Sequence, residues 1–97
     1  METREAYIDK ISARLKELSA KIDELQAQAK MAKAGAKEEY TKHIEAMRDR
    51  KAEAERKLNE LKSAGERAWQ EMKIGIDNAF DELKKATQSA AERLKGK

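Results

Sequence analysis

The sequence has no cysteine, no proline and no valine, and only one histidine among its 97 residues. The missing cysteines exclude disulfides, thiolate metal sites and thiol nucleophiles, and they leave redox compartment unreadable. One histidine supplies neither a zinc site nor an HExxH motif. No window shows the period-two alternation of β-branched and aromatic residues that strands use. Long apolar runs are missing too, since nothing approaches the roughly 18–20 residues of a membrane span. The opening Met1-Glu-Thr-Arg-Glu-Ala-Tyr7 carries charge where a secretory leader needs an apolar stretch. The expected location is cytoplasmic, although a leader removed upstream would leave no trace.

What is present forms helices. There are seventeen Ala, seven Leu and six Ile, with Lys, Glu and Arg making up most of the rest. Apart from Ile, these residues lose little entropy in a helix. Leu, Ile, Val and Phe together number only fourteen, below the fifth of a chain at which disorder sets in, but that rule also requires a high net charge. At +3 on a chain that is 42% charged, the balance is nearly even, and periodicity decides for helix. A chain this short forms one domain, 1–97, with a modest core, so self-association enters the reading early.

Three apolar stripes follow one another. The first is Ile8, Ile11, Leu15, Leu18, Ile22 and Leu25, continued in step by Ala29, Ala32 and Ala36. Its alternating three and four spacing is the a/d pattern of a coiled coil. The second runs Tyr40, Ile44, Met47, Ala54, Leu58, Leu61, with Lys51 at an a position. The third is Trp69, Met72, Ile76, Ala79/Phe80, Leu83, Ala86, Ala90 and Leu94. The stripes do not share one register: a one-residue slip falls in 26–37 and a second near Gly65. Such slips either rewind a continuous coiled coil or mark where the chain turns back.

Around Gly65 the sequence carries turn chemistry. Glycine can take the left-handed conformation that ends a helix, and Ser63 followed by Glu66 fits a capping box. Around Gly35 there is no Ser, Thr, Asp or Asn to cap anything, and a lone glycine inside a helix costs only about 1 kcal/mol. The expected fold is therefore all-α: a long coiled-coil helical hairpin with a helix over about 4–62, a turn near 63–66 and a helix over about 66–95. That arrangement leaves Ile8–Leu25 bare, so two copies pair through it as a dimer. The alternative is a three-helix bundle with an additional turn near Gly35, which sets Leu25 beside Tyr40 and Ile8 beside Leu58.

Charge is spread evenly along the chain, and Glu17–Lys21, Glu38–Lys42, Glu53–Lys57 and Asp81–Lys85 have the favourable i, i+4 order. The densest basic stretch, Arg48-Asp-Arg-Lys51, is followed at once by Glu53 and Glu55 and holds no aromatic residue to stack on bases. Nucleic acid is therefore not an expected partner. His43 has Glu39 four residues before it, but Tyr40 stands where a di-iron bundle needs Glu, and an exposed surface histidine is the better reading. Met47 and Met72 lie on the stripes as core filler. The hydroxyls lack a partnering base and no glycine-rich loop exists, so neither an enzyme nor a cofactor is expected.

The third segment is the most distinctive. Trp69, Met72, Ile76, Phe80 and Leu83 share one helical face, with Lys73, Lys84 and Lys85 nearby. That face suits either a core anchor packing on Leu58 and Leu61 or an amphipathic helix lying on a membrane surface. Ile74 falls off the stripe and is a candidate oligomer contact.

The run Leu58-Asn-Glu-Leu-Lys-Ser-Ala-Gly-Glu-Arg-Ala-Trp69, continued by Met72-Lys-Ile-Gly-Ile-Asp-Asn-Ala-Phe-Asp-Glu-Leu-Lys84, resembles small uncharacterised bacterial coiled-coil proteins. The resemblance covers most of the chain and implies a bacterial source and a helical fold, with no activity attached. Composition also looks like that of exchangeable apolipoprotein helices, without the prolines that punctuate them. Likeness to desiccation-protective helical proteins is confined to the Ala/Lys stretch at 29–37. Taken together, the sequence predicts a non-enzymatic structural or interaction protein. It self-associates through Ile8, Ile11, Leu15, Leu18, Ile22 and Leu25 and is able to scaffold a protein partner. The alternative is a peripheral membrane protein using the Trp69–Leu83 face.

Overall fold

The structure, a computed structural model, describes residues 2–95, which form three helices and no strand. The first, α1 (Arg4–Lys30), starts after Thr3, which is extended and whose Oγ1 accepts the Ala6 N–H at 3.0 Å. That side chain satisfies one of the donors a helix start leaves open. The second is α2 (Ala34–Ser63) and the third α3 (Ala68–Lys95). An uninterrupted helix over 4–62 is therefore not what forms. The chain leaves helical geometry at Met31–Lys33, just ahead of Gly35, which lies inside the first turn of α2.

The turn between α2 and α3 falls where the sequence puts it but uses other chemistry. Ser63 is the last residue of α2 and α3 begins at Ala68, so Ser63 and Glu66 do not bracket a helix start. Among the described residues no glycine has positive φ. Instead Ala64 turns extended (φ −77°, ψ 145°). The Arg4 guanidinium covers the freed carbonyls, donating to Ala64 O at 2.6 Å and Lys62 O at 3.2 Å. An arginine from the far end of the neighbouring helix replaces the left-handed glycine.

Cross-helix pairs fix the registers. Arg4 beside Lys62 makes α1 and α2 antiparallel about residue 33. Arg50–Glu82 at 2.6 Å and Arg93–Glu39 at 3.1 Å share a midpoint at residue 66, so α2 and α3 are antiparallel too. Helix α3 then runs parallel to α1, joined by Lys73–Glu2 at 2.8 Å and Arg14–Asp81 at 3.4 Å. All three helix pairs touch, giving a bundle-like body of 50 × 17 × 16 Å, about one helix length from end to end.

Candidate interaction surface

The strip expected to lie bare on α1 is largely covered. Ile11, Ile22 and Leu25 are buried, while Ile8, Leu15 and Leu18 are partly buried against the same core. Of the face on α3, Trp69, Ile76, Phe80 and Leu83 are buried and Met72 is partly buried. The two candidate surfaces thus meet in one cluster, completed from α2 by Ile44, Met47, Ala54, Leu58 and Leu61. Helix α1 occupies the groove that α2 and α3 form between them.

Sequence reasoning missed the one aromatic residue of α1. Tyr7 is fully buried, one residue ahead of the strip's assigned start. Its ring lies 5.9 Å from Trp69, centroid to centroid. Its hydroxyl donates to Asp77 Oδ1 at 2.5 Å and lies 3.2 Å from Lys73 O. Burial, and then the bond to Asp77, push the Tyr7 phenol well above its ordinary value. The Lys73 ammonium stands 5.3 Å above the Tyr7 ring and bonds Glu2, which lowers the Glu2 carboxyl and raises the Lys73 amine. The signal for Tyr7 was its spacing: Tyr7, Ile11, Leu18, Ile22 and Leu25 make a stripe as good as the one beginning at Ile8. Arg14 was missed as well; its guanidinium sits 5.6 Å over Phe80 while pairing Asp81.

The two ends of the body differ. The end at 64–67 carries the Arg4 clamp, the Tyr7–Asp77 bond and the Lys73–Glu2 pair. The end at 31–33 is built from alanine, and two open clefts lie there. One, about 480 Å³, lies between Gln26, Ala29 and Lys30 of α1 and Lys37, Thr41 and Ile44 of α2. The other, about 500 Å³, lies among Gln28, Met31, Ala32, Ala36, Tyr40 and Leu94. Alanine leaves such gaps because it has no side chain long enough to bridge helices that larger neighbours hold apart. Met31 is 88% exposed at this tip.

Among the described residues one buried side-chain polar atom has no partner: the indole N–H of Trp69. Leaving such a donor unbonded costs about 1–3 kcal/mol. Thr87, also buried, satisfies its hydroxyl on Leu83 O at 2.8 Å. His43 is half-buried on α2, and among the described residues no three His, Asp or Glu converge to hold a metal ion. No helix among the described residues is long and apolar enough to cross a membrane. Ile74, off the stripe, is 72% exposed on α3. No family model, curated protein or solved structure matches the chain.

Proposed function

We propose that this chain is a non-enzymatic helical interaction protein that self-associates through the α1 strip by coiled-coil packing, with the resulting dimer available as a scaffold for a protein partner. One observation carries the reading: the strip fits a groove between α2 and α3, and every copy carries both strip and groove. Whatever holds α1 on its own chain holds it equally on another. Such an interface needs no new contact, only an exchange of existing ones.

Light scattering across a concentration series tests this directly. The expected result is a dimer that dissociates on dilution, and that Leu18→Glu weakens by placing a charge in the strip. A monomer at every concentration would sink the proposal. The likeness to small bacterial coiled-coil proteins agrees with the reading and adds no partner to it.

A second reading, reversible binding to a membrane surface through Trp69, Met72, Ile76, Phe80 and Leu83, is favoured by the unbonded Trp69 N–H. Tryptophan is at home where its ring is in hydrocarbon and its N–H reaches the headgroups. Anionic vesicles should then shift Trp69 fluorescence to the blue, and an unchanged spectrum argues against this use of the face.

A further inference from the structure

The connector between α1 and α2 is made of residues that favour helix. Met31, Ala32 and Lys33 are all good helix formers, with Lys30 before and Ala34 after them. Met31 already has helical angles (φ −88°, ψ −3°). Lys33 has a helical φ of −62° and departs only in ψ, at 150°. No side chain caps the start of α2, and no acidic residue stands in its first turn to complement the dipole. The Ala32 and Met31 N–H groups bond back to Ala29 O and Gln28 O, each at 3.1 Å, the short bonds of a helix end with nothing more specific to close it. Clefts open beside α1 and α2 at this end, and a further one of about 570 Å³ opens along the same seam between Ser12, Leu15 and Ser19 of α1 and Lys51, Glu55 and Leu58 of α2.

The other connector closes α2 with the same short bond, Ala64 N–H to Leu61 O at 3.1 Å, but adds a side-chain clamp. Arg4 clamps the end of α2, and the exposed ion pairs Arg93–Glu39 and Arg50–Glu82 join α2 to α3 at residues 39 and 50 of α2. If one junction opens, it is 31–33.

We infer that Met31–Lys33 is a hinge that converts α1 and α2 into one continuous helix, through which two copies of this chain exchange α1 and form a domain-swapped dimer. This rests on the self-association proposed above and supplies its route. Bringing the backbone of Met31–Lys33 into the helical range, including Lys33 ψ from its 150°, joins Arg4 to Ser63 as one rod about 90 Å long. In that rod Leu25 and Met47 fall about 40° apart around the axis, so both strips look to the same side. A second copy, antiparallel and hinge to hinge, covers both at once. Each α1 then lies in the partner's α2–α3 groove, so the contacts α1 makes in the monomer are remade between chains while the α2–α3 packing stays within each chain. The exchange gains the helical bonds of the connector and loses the freedom of a separate chain, which makes it dependent on concentration.

Substitution at Ala34 separates the two states. In the monomer Ala34 is the first residue of α2, a position proline favours, and Lys33 before it is extended as a residue preceding proline should be. In the continuous rod the same proline would sit mid-helix and clash with the preceding turn, disfavouring it roughly 150-fold per hinge and about 10⁴-fold for the pair. The full chain is unfolded in denaturant and refolded at about micromolar and about millimolar concentration, then sized by scattering. Wild type is expected to give dimers about 90 Å or longer from the concentrated sample, and Ala34→Pro only monomers of the helical content and thermal stability of wild type. Lys33→Gly, which leaves the monomer's turn free to form, should lower the dimer fraction more gently, roughly tenfold. If wild type stays monomeric at both concentrations, the hinge and the proposed function fall together. If Ala34→Pro and Lys33→Gly dimerise as readily as wild type, the hinge is wrong while self-association by another surface stands.

Discussion

Replacing Tyr7 by Phe removes a single oxygen and leaves the ring stacked near Trp69. What is lost is the 2.5 Å bond to Asp77. A hydrogen bond to a charged partner contributes about 1.5–3 kcal/mol, and because Asp77 is only half-buried the lower value, about 1.5 kcal/mol, applies. In a domain of this size about 1 kcal/mol moves the melting temperature by about 4–8 °C, so Tyr7→Phe should melt about 6–12 °C below wild type near neutral pH. The difference has a pH signature. The folded phenol is raised above its ordinary value of 10.0 by burial and by Asp77. As pH climbs past about 10 the unfolded chain gives up its Tyr7 proton while the folded chain keeps it, and stability falls. The Phe variant has no proton there to lose. Melting followed by circular dichroism from about pH 7 to pH 12 should show the two curves converging above about pH 10. Equal melting temperatures near neutrality, or curves that stay parallel into the alkaline range, would refute the account of how α1 is anchored.

Two further substitutions probe the packing. Phe80→Ala empties a fully buried site that touches Arg14 and the shared core, and denaturant unfolding should show a loss of about 3–5 kcal/mol. Gly35→Ala places a methyl where nothing lies within 4 Å and φ is not positive. It should stabilise by about 0.5 kcal/mol through the entropy of the unfolded chain, read as a small rise in melting temperature. Because Gly35 is helical in both the compact and the extended arrangement, that gain should leave the monomer–dimer balance unmoved.

Helix content was legible because nearly every residue prefers it and no strand pattern competes. The turn near 63–66 was legible from its glycine and the loss of register, although Arg4 rather than a left-handed Gly65 closes it. That substitution was out of reach, since it joins residues 58 and 60 positions apart. The break at 31–33 was hidden for a physical reason. Its residues have no intrinsic reason to leave the helix, and what bends the chain there is the burial of Ile11, Ile22 and Leu25 against α2 and α3. Gly35 drew attention to the right neighbourhood while lying inside α2. The spacing Tyr7, Ile11, Leu18 competes evenly with the stripe from Ile8, and what decides for Tyr7 is the bond of its hydroxyl to Asp77, 70 residues away. The strip and the α3 face were both legible as apolar surfaces; that they are each other's partners depended on the parallel register of α1 and α3.

The unequal stitching of the two ends has a consequence for how the molecule breathes. Near Arg4, Tyr7 and Lys73 a local opening must break several polar bonds and uncover Trp69 together, so backbone amides there should exchange with solvent only when the whole body unfolds. Around Ala29, Ala32 and Ala36 little is uncovered by parting, and amides should exchange through small, frequent openings. The molecule is then a clasp with a fixed end and a free end, and any protease cutting the native chain should find Met31–Lys33 first.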